Sequence, residues 1–380
     1  MIYLDSASTS LQKPPGVAHA IVEAIGTLGN PGRGVHKHAK SASDCIFQGR
    51  KAIAALFGTA PRSVVFTSSA TESLNIAIRG LLKPTGHVIT TVLEHNAVLR
   101  PLYHLEAQGM GISIIDILDD GNLNYASFER WVKPNTSAVI ITAASNLTGL
   151  IVDMEFISAF CKKHGLLLIV DAAQAAGILP INMNALSIDV LCFTGHKSLF
   201  GPQGIGGLCV HENFSYPISP IKFGGAGIDS FSKTQPAEMP EALEAGTLNA
   251  HGIAGLLAGI EYIGKIGMEN ILSKAQKLAQ QFYEEVSGIP NVKIYSNFSL
   301  PHTPIVTLNI GDLDSGAVEF ILSNEYGISA RGGFHCAPLL HKALGTKKQG
   351  AVRFSFSSFN TQDDVYQAVK AVRLVAKGVE

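Results

Sequence analysis

One lysine in this chain stands in surroundings unlike those of a surface lysine. The stretch "CFTGHKSLFGPQGIGG", Cys192 to Gly207, holds Lys197 and no Arg, Asp or Glu. Lys197 follows an apolar run, sits beside His196, and is succeeded by Gly201, Gly204, Gly206 and Gly207. A partly desolvated lysine has a lowered pKa and becomes a nucleophile, typically one that forms Schiff bases with carbonyl compounds. Glycines let backbone approach a ligand closely. The stretch is neither a G-x-x-x-x-G-K-[ST] phosphate loop nor a dinucleotide fingerprint, because its glycine spacing matches neither.

Three further stretches follow short apolar runs, and ligands of open α/β sheets bind at the carboxyl ends of the strands. "VVFT" leads into "SSATESLN", with Ser69, Ala70 and Thr71 at a helix start. Free N–H groups and the helix dipole make such a start an anion cradle; an ordinary Ser/Thr cap is the plainer reading. "LLLIV" ends in Asp171, which is either a helix N-cap or the partner of a cationic ring nitrogen, since a lone buried carboxylate is costly. "HVITTVL" leads to His95, either a core histidine satisfied by backbone or a cover for a planar ring. Thr194 and His196 add donors for a phosphate. Pyridoxal 5'-phosphate requires a lysine, an acid at the ring nitrogen, a phosphate cradle and a flat cover. These stretches supply one of each.

The elements that must position these residues read as an α/β fold. Strands "SVVFTSS", "GHVITTVL", "GISIIDI", "SAVIITAAS", "GLLLIVDAA" and "DVLCFTG" alternate with helical or loop segments from about residue 60 to 210. Strands apolar on both faces and interleaved with helices predict a mostly parallel sheet covered on two sides. Beyond residue 250 the texture changes to long helices (about 251–266 and 269–288), strands "TPIVTLNIG", "GISARG" and "AVRFSFS", and a last helix over 361–377. The expected organisation is an N-terminal segment 1–15, a large cofactor-binding domain 16–250 and a small α+β domain 251–380. The polar, Gly- and Pro-rich stretch 223–247 is a long connection of the kind that serves function.

Composition narrows the partners. With 29 Lys+Arg against 30 Asp+Glu the net charge is −1, so no basic field is available for nucleic acid or an anionic membrane. Charged residues make up only 16%, which suggests a surface partly covered by another subunit. Five irregularly spaced cysteines form no Cys-x-x-Cys pair, so no metal site is expected and a reducing compartment fits. "MIYLDSASTS" lacks the pattern of a signal peptide, and no apolar run reaches bilayer length. The expectation is a cytoplasmic protein.

Together the motifs "YLDSAST", "GNPGRGVH", "FTSSATESLN", "EHNA", "ASNLTG", "VDAAQ", "FTGHKSLFGPQGIG", "EAGTLN", "RGGFHCAP" and "VRFSFSSFNT" resemble, in order and over nearly the whole chain, the cysteine desulfurase and selenocysteine lyase family. That family is the class V branch of the fold-type I pyridoxal-phosphate enzymes. The resemblance implies Lys197 as the Schiff-base lysine, Asp171 as the ring-nitrogen partner and Gln174 beside the phenolic oxygen. It implies His95 as ring cover and acid/base, and Ala70, Thr71, Thr194 and His196 at the phosphate. Thr247 would reach the phosphate of a neighbouring subunit, which implies a homodimer with shared sites. Asn146 and Arg353 would hold the substrate carboxylate. Cys336 matches the cysteine that takes up sulfur as a persulfide, and its short spacing from Arg331 resembles the family's second group. Phe334, in place of a histidine, and Pro338 depart from the pattern. Cys45, Cys161, Cys192 and Cys209 lie in apolar patterns and read as core. The activity implied is conversion of L-cysteine to L-alanine, with a sulfur-acceptor protein as a further partner. A selenocysteine lyase acting on L-selenocysteine is the near alternative, and a sulfinate lyase or aminotransferase a more distant one. From other classes, Cys336 with His335 or His341 could form a cofactor-free thiol hydrolase, or the chain could be a non-catalytic sulfur-binding scaffold.

Overall fold

The computed structural model describes residues 1–32 and 34–378. In chain order the elements are β1 (Ile2–Tyr3), α1 (Pro15–Thr27), α2 (Lys37–Phe57), β2 (Val64–Thr67), α3 (Ala70–Leu81), β3 (His87–Thr91), α4 (Asn96–Glu106), β4 (Gly111–Ile115), β5 (Thr136–Thr142), α5 (Met154–His164), β6 (Leu167–Asp171), α6 (Met183–Leu186), β7 (Val190–Thr194) and β8 (Gly206–Val210). There follow α7 (Ala250–Ile266), α8 (Met268–Ser287), β9 (Val292–Ile294), β10 (Ile305–Ile310), α9 (Ser315–Tyr326), β11 (Ile328–Ser329), α10 (Pro338–Ala343), β12 (Val352–Ser355) and α11 (Gln362–Lys377).

Seven strands form the main sheet in the order β2-β8-β7-β6-β5-β3-β4. Strand β8 runs antiparallel to both neighbours and the other pairs are parallel, so the sheet is mixed but mostly parallel, as expected. Side chains alternate across it. On β5, Val139 and Ile141 join a core with Ile53, Phe57, Ile157, Phe160 and Ile253 on one face. Ala138 and Ile140 join Leu74, Ile78, Val98 and Leu102 of α3 and α4 on the other. Helices on both faces are what buries an all-apolar parallel strand.

The glycines after Lys197 allow a close approach of backbone to backbone as well. Gly206 and Gly207 begin β8, the antiparallel strand. A Cβ at Gly206 would lie 2.9 Å from the Ser69 Cα, so only glycine lets β8 pass beneath the start of α3. Helices α1 and α2, which the sequence reading did not delimit, pack on α7.

A second core is built from α8, α9 and α11 against β10 and β12, and it takes in Leu4 from the N-terminal segment. Strand β1 pairs in parallel with β11. Ile253, Leu256, Ile263 and Ile271 belong to the first core, and Leu278, Phe282 and Val286 to the second. Helix α8 thus contributes to both cores, and Ala337, Leu340 and Ala351 return to the first. The connection 223–247 contains no helix or strand and ends anchored: Arg50 holds Glu244 in a buried bidentate pair, and Phe66 N donates to the same carboxylate at 2.6 Å. Cys161, Cys192 and Cys209 are buried; Cys45, expected in the core, is only half-buried at its margin. Among the described residues no helix is long and apolar enough to cross a membrane, and no His, Cys, Asp and Glu cluster could hold a metal ion.

Candidate active site

The carboxyl ends of β2, β5, β6 and β7 open on one cleft, whose walls include Ala70, Thr71, His95, Asn146, Asp171, Gln174, Thr194, His196, Lys197 and Arg353. Parallel strands put their carboxyl ends at one edge of a sheet, and this places residues distant in sequence side by side.

At the helix start, Ser69 caps α3 by accepting from Glu72 N at 3.4 Å, which is the plainer of the two readings. The cap is a serine, and the amides ahead of Glu72 face the cleft end of the helix, where anions are favoured. Thr194 ends β7. Its Oγ1 and the His196 Nδ1 are buried without a partner among the described residues. Buried polar atoms without partners are rare and costly. A phosphate in this part of the cleft would satisfy both, so the residues present fit the head group of pyridoxal phosphate. Burial, reinforced by Lys197 and Lys13, lowers the pKa of His196 to about 4, leaving it neutral.

Asp171 ends β6 and accepts from Ala173 N at 2.9 Å. It caps a turn and not a helix, since the next helix, α6, begins at Met183. Burial pushes its pKa up, opposed by the Ala173 bond and by Lys197. Lys197 is itself enclosed. Burial lowers its pKa to about 8; Asp171 opposes that shift, while Arg353 and Arg331 add to it. A base near 8 exchanges protons readily at physiological pH. Gln174 donates from Nε2 to the Ala7 carbonyl at 3.0 Å, which fixes the side chain against the N-terminal segment.

His95 is satisfied by backbone and also stands on the cleft wall. It caps α4, its Nδ1 accepting from Ala97 N at 3.0 Å, and it lines the cleft. Because Nδ1 accepts, the ring proton resides on Nε2. Burial first, then Lys197, lowers its pKa to about 4. The preceding residue, Glu94, is fully buried. Its Oε1 accepts from Thr91 Oγ1 at 2.7 Å and Thr142 N at 3.1 Å, pinning the turn that carries His95 to the end of β5.

Arg353 on β12 is almost completely buried. It donates from Nη1 to the Asn146 carbonyl at 2.8 Å, and from Nη2 to Asp5 Oδ1 at 2.8 Å and Ser8 Oγ at 2.7 Å. Arg331 also reaches Ser8 Oγ, at 2.8 Å, and its backbone bridges to Arg353. Arg331 and Ser8 line the cleft but were given no site role by the sequence reading, and His335, which lines it too, was named only as a partner of Cys336 in a thiol hydrolase. All three lie in quoted motifs, "YLDSAST" and "RGGFHCAP", which was the available signal.

Cys336 and Thr247 stand apart. Cys336 is exposed and does not line the cleft, although its neighbour His335 does. Thr247 lines a separate cleft with Asn30, Gly32, Arg50 and Glu244.

Comparison with known proteins places the chain in a family. Residues 2–367 match the family model described as Aminotransferase class-V, and the chain belongs to that family. A protein of Pyrococcus abyssi named a probable cysteine desulfurase is 33% identical over 96% of this chain and 92% of its own. An apo structure of the cysteine desulfurase of Thermococcus onnurineus NA1 superposes with a TM-score of 0.93 at 34% identity, covering 99% of this chain and 95% of that one. The Escherichia coli cysteine desulfurase CsdA, in an S-sulfonic acid form, superposes with a TM-score of 0.88 at 28% identity, over 99% and 94% of the two chains.

Proposed function

We propose that this protein is a pyridoxal-phosphate-dependent cysteine desulfurase that acts as a homodimer in a reducing compartment, in the cytoplasm. The observation that carries the reading is one cleft holding an enclosed lysine near pKa 8, a buried aspartate facing it, and the unpartnered Thr194 Oγ1 and His196 Nδ1. Pyridoxal phosphate, when bound, supplies an electrophilic carbonyl and an electron sink for carbanion chemistry.

The chain supplies the rest. Lys197 anchors the cofactor as an amine and then carries the proton at the substrate Cα. Asp171 keeps the proton on the ring nitrogen. His95 would cover the ring with a neutral imidazole, and Gln174 would serve the phenolic oxygen. Ala70, Thr71, Thr194 and His196 hold the phosphate, joined by Thr247 from the second subunit. Arg353 and Asn146 receive the substrate carboxylate by charge-assisted and amide hydrogen bonds. The Cys336 thiolate attacks the substrate sulfur. The S–S bond forms as the C–S bond breaks, its electron pair returns to the substrate Cβ, and protonation there leaves L-alanine. The persulfide on an exposed Cys336 is open to a sulfur-acceptor protein.

A selenocysteine lyase is the second reading, and one observation favours it: Cys336 stands outside the cleft. Neither His335 nor His341 is hydrogen-bonded to Cys336, so the geometry offers no support for a thiol hydrolase. Cys336→Ala separates the two main readings. The desulfurase reading expects the variant to keep its yellow colour, lose most alanine formation from L-cysteine and retain much of it from L-selenocysteine. Mass spectrometry of the parent enzyme after cysteine treatment should find added sulfur on the Cys336 peptide alone. Desulfuration of cysteine by the variant at the parent rate would overturn the persulfide role.

A further inference from the structure

His335 and Cys336 are consecutive non-glycine residues with left-handed backbone, at φ 50 and φ 53. That conformation is disfavoured for residues with a Cβ and persists only where the surroundings over-determine it. Four contacts do so. The His335 carbonyl accepts from Asn146 Nδ2 at 2.7 Å, and the Cys336 carbonyl accepts from Asn96 N at 2.8 Å. The His335 ring donates from Nε2 to the Arg331 carbonyl at 3.0 Å, which leaves Nδ1 to accept from His341 Nε2 at 3.4 Å. His341 Nδ1 in turn accepts from Thr346 Oγ1 at 2.7 Å.

Asn146 is the one of these anchors that reaches the turn from the cleft wall by its side chain. Its own carbonyl accepts from Arg353 Nη1 at 2.8 Å. Two hydrogen bonds and one peptide unit thus join the guanidinium of Arg353 to the residue that bears the thiol. Asn146 Oδ1 is buried without a partner among the described residues, so the amide is held through its nitrogen alone.

We infer that Asn146 is a positioning residue for Cys336: its amide holds the strained turn that carries the thiol and couples that turn to the carboxylate-binding arginine. The inference rests on Cys336 as the sulfur acceptor and adds to the carboxylate-binding role implied for Asn146 a mechanical one. In Asn146→Ala and the near-isosteric Asn146→Asp, which lacks the donor when ionised, the turn is released from the cleft side.

Hydrogen exchange in the cofactor-loaded protein tests this directly. The Asn96 amide, which donates to the Cys336 carbonyl, and the Ala337 amide, which donates to the Phe334 carbonyl, are the reporters. Loss of one buried hydrogen bond should speed their exchange about fivefold to tenfold in both variants, with exchange in β10 and α11 unchanged. Steady-state turnover of L-cysteine should lose about tenfold in kcat, beyond any rise in KM from the lost carboxylate contact. Unchanged exchange at both reporters would overturn the inference. So would a raised KM with kcat retained, which describes carboxylate binding alone. The exchange arm is read without turnover, so it still decides the role of Asn146 if the parent protein desulfurates nothing.

Discussion

Arg353 already grips a carboxylate: its Nη2 lies 2.8 Å from Asp5 Oδ1, across nearly the whole length of the chain. Ser8 Oγ ties the pair together, donating to Asp5 Oδ1 at 2.7 Å while accepting from Arg353 and Arg331. The guanidinium is therefore pre-oriented and partly neutralised, the state in which a substrate carboxylate would meet it under the proposed function.

Arg353→Ala should raise KM for L-cysteine about tenfold to hundredfold, the loss of a charge-assisted contact of about 1.5–3 kcal/mol. Asp5→Asn should do the reverse to binding. Removing the competing charge should tighten L-alanine and L-cysteine, while leaving a buried cation unpaired should lower the melting temperature of the free protein. Saturating L-alanine should restore much of that loss. These are read by steady-state kinetics and by thermal melts with and without alanine. An unchanged KM in Arg353→Ala would move the carboxylate contact to Arg331.

The Lys197 amine predicts a distinctive pH response. Its folded pKa, about 8, lies below the ordinary lysine value of 10.5, so the unfolded chain binds more protons between those limits. Stability of the cofactor-free protein should therefore rise from pH 8 to 10.5, by about 3 kcal/mol from this group. Denaturant titrations across that window, compared between the parent and Lys197→Met, isolate the contribution; identical pH profiles would show that Lys197 is not desolvated. The rate of pyridoxal phosphate loading should climb through the same midpoint near 8.

Glu94 predicts the opposite slope. Burial pushes its pKa up to about 8, with the nearby Asp171 adding to the shift and the Thr91 and Thr142 bonds opposing it. A raised acid contributes stability that is whole below pH 4.5 and is lost as pH rises through 8. Glu94→Gln mimics the protonated form, so it should keep its stability near pH 8 where the parent weakens, and should leave the cofactor absorption band in place. Glu94→Ala should lose the anchor of the His95 turn and fold less stably by about 1–3 kcal/mol. A Gln variant as impaired as the Ala variant would show that Glu94 works as an anion.

Thr247 tests the shared site. Thr247→Ala and Lys197→Ala proteins, each weak or inactive as homodimers, should regain activity when unfolded, mixed and refolded together. Half of the random dimers then combine the two variants, and each such dimer holds one site with both residues intact. Failure to regain activity, with mixed dimers verified by mass, would mean that Thr247 serves its own chain or neither.

The chemistry at the strand ends was legible in the sequence. Asp171, Thr194, His95 and the Ser69–Thr71 start each adjoin a strand or helix whose periodicity is local, and parallel pairing brings those ends to one edge. Lys197 stood out for the same reason, since an isolated cation among apolar and glycine residues has few places to go but a site. The glycine run signalled a close backbone approach, but only the structure shows that part of that approach is between β8 and the start of α3.

Tertiary structure decided the contacts between distant polar residues. Asp5 and Ser8 meet Arg331 and Arg353 only because β1 pairs with β11 and the second core takes in Leu4. Asn146 reaches the His335 carbonyl only because the turn before α10 is laid against the cleft wall. Periodicity states which face or edge a residue occupies. It carries no information about which polar group, hundreds of residues away, will be pressed against that edge, because this depends on how two separately built cores pack. The sequence thus marked Lys197, Asp171 and the Ser69–Thr71 start as one group, and the packing of the two cores set the Asp5–Arg353 pair and the left-handed turn at Cys336.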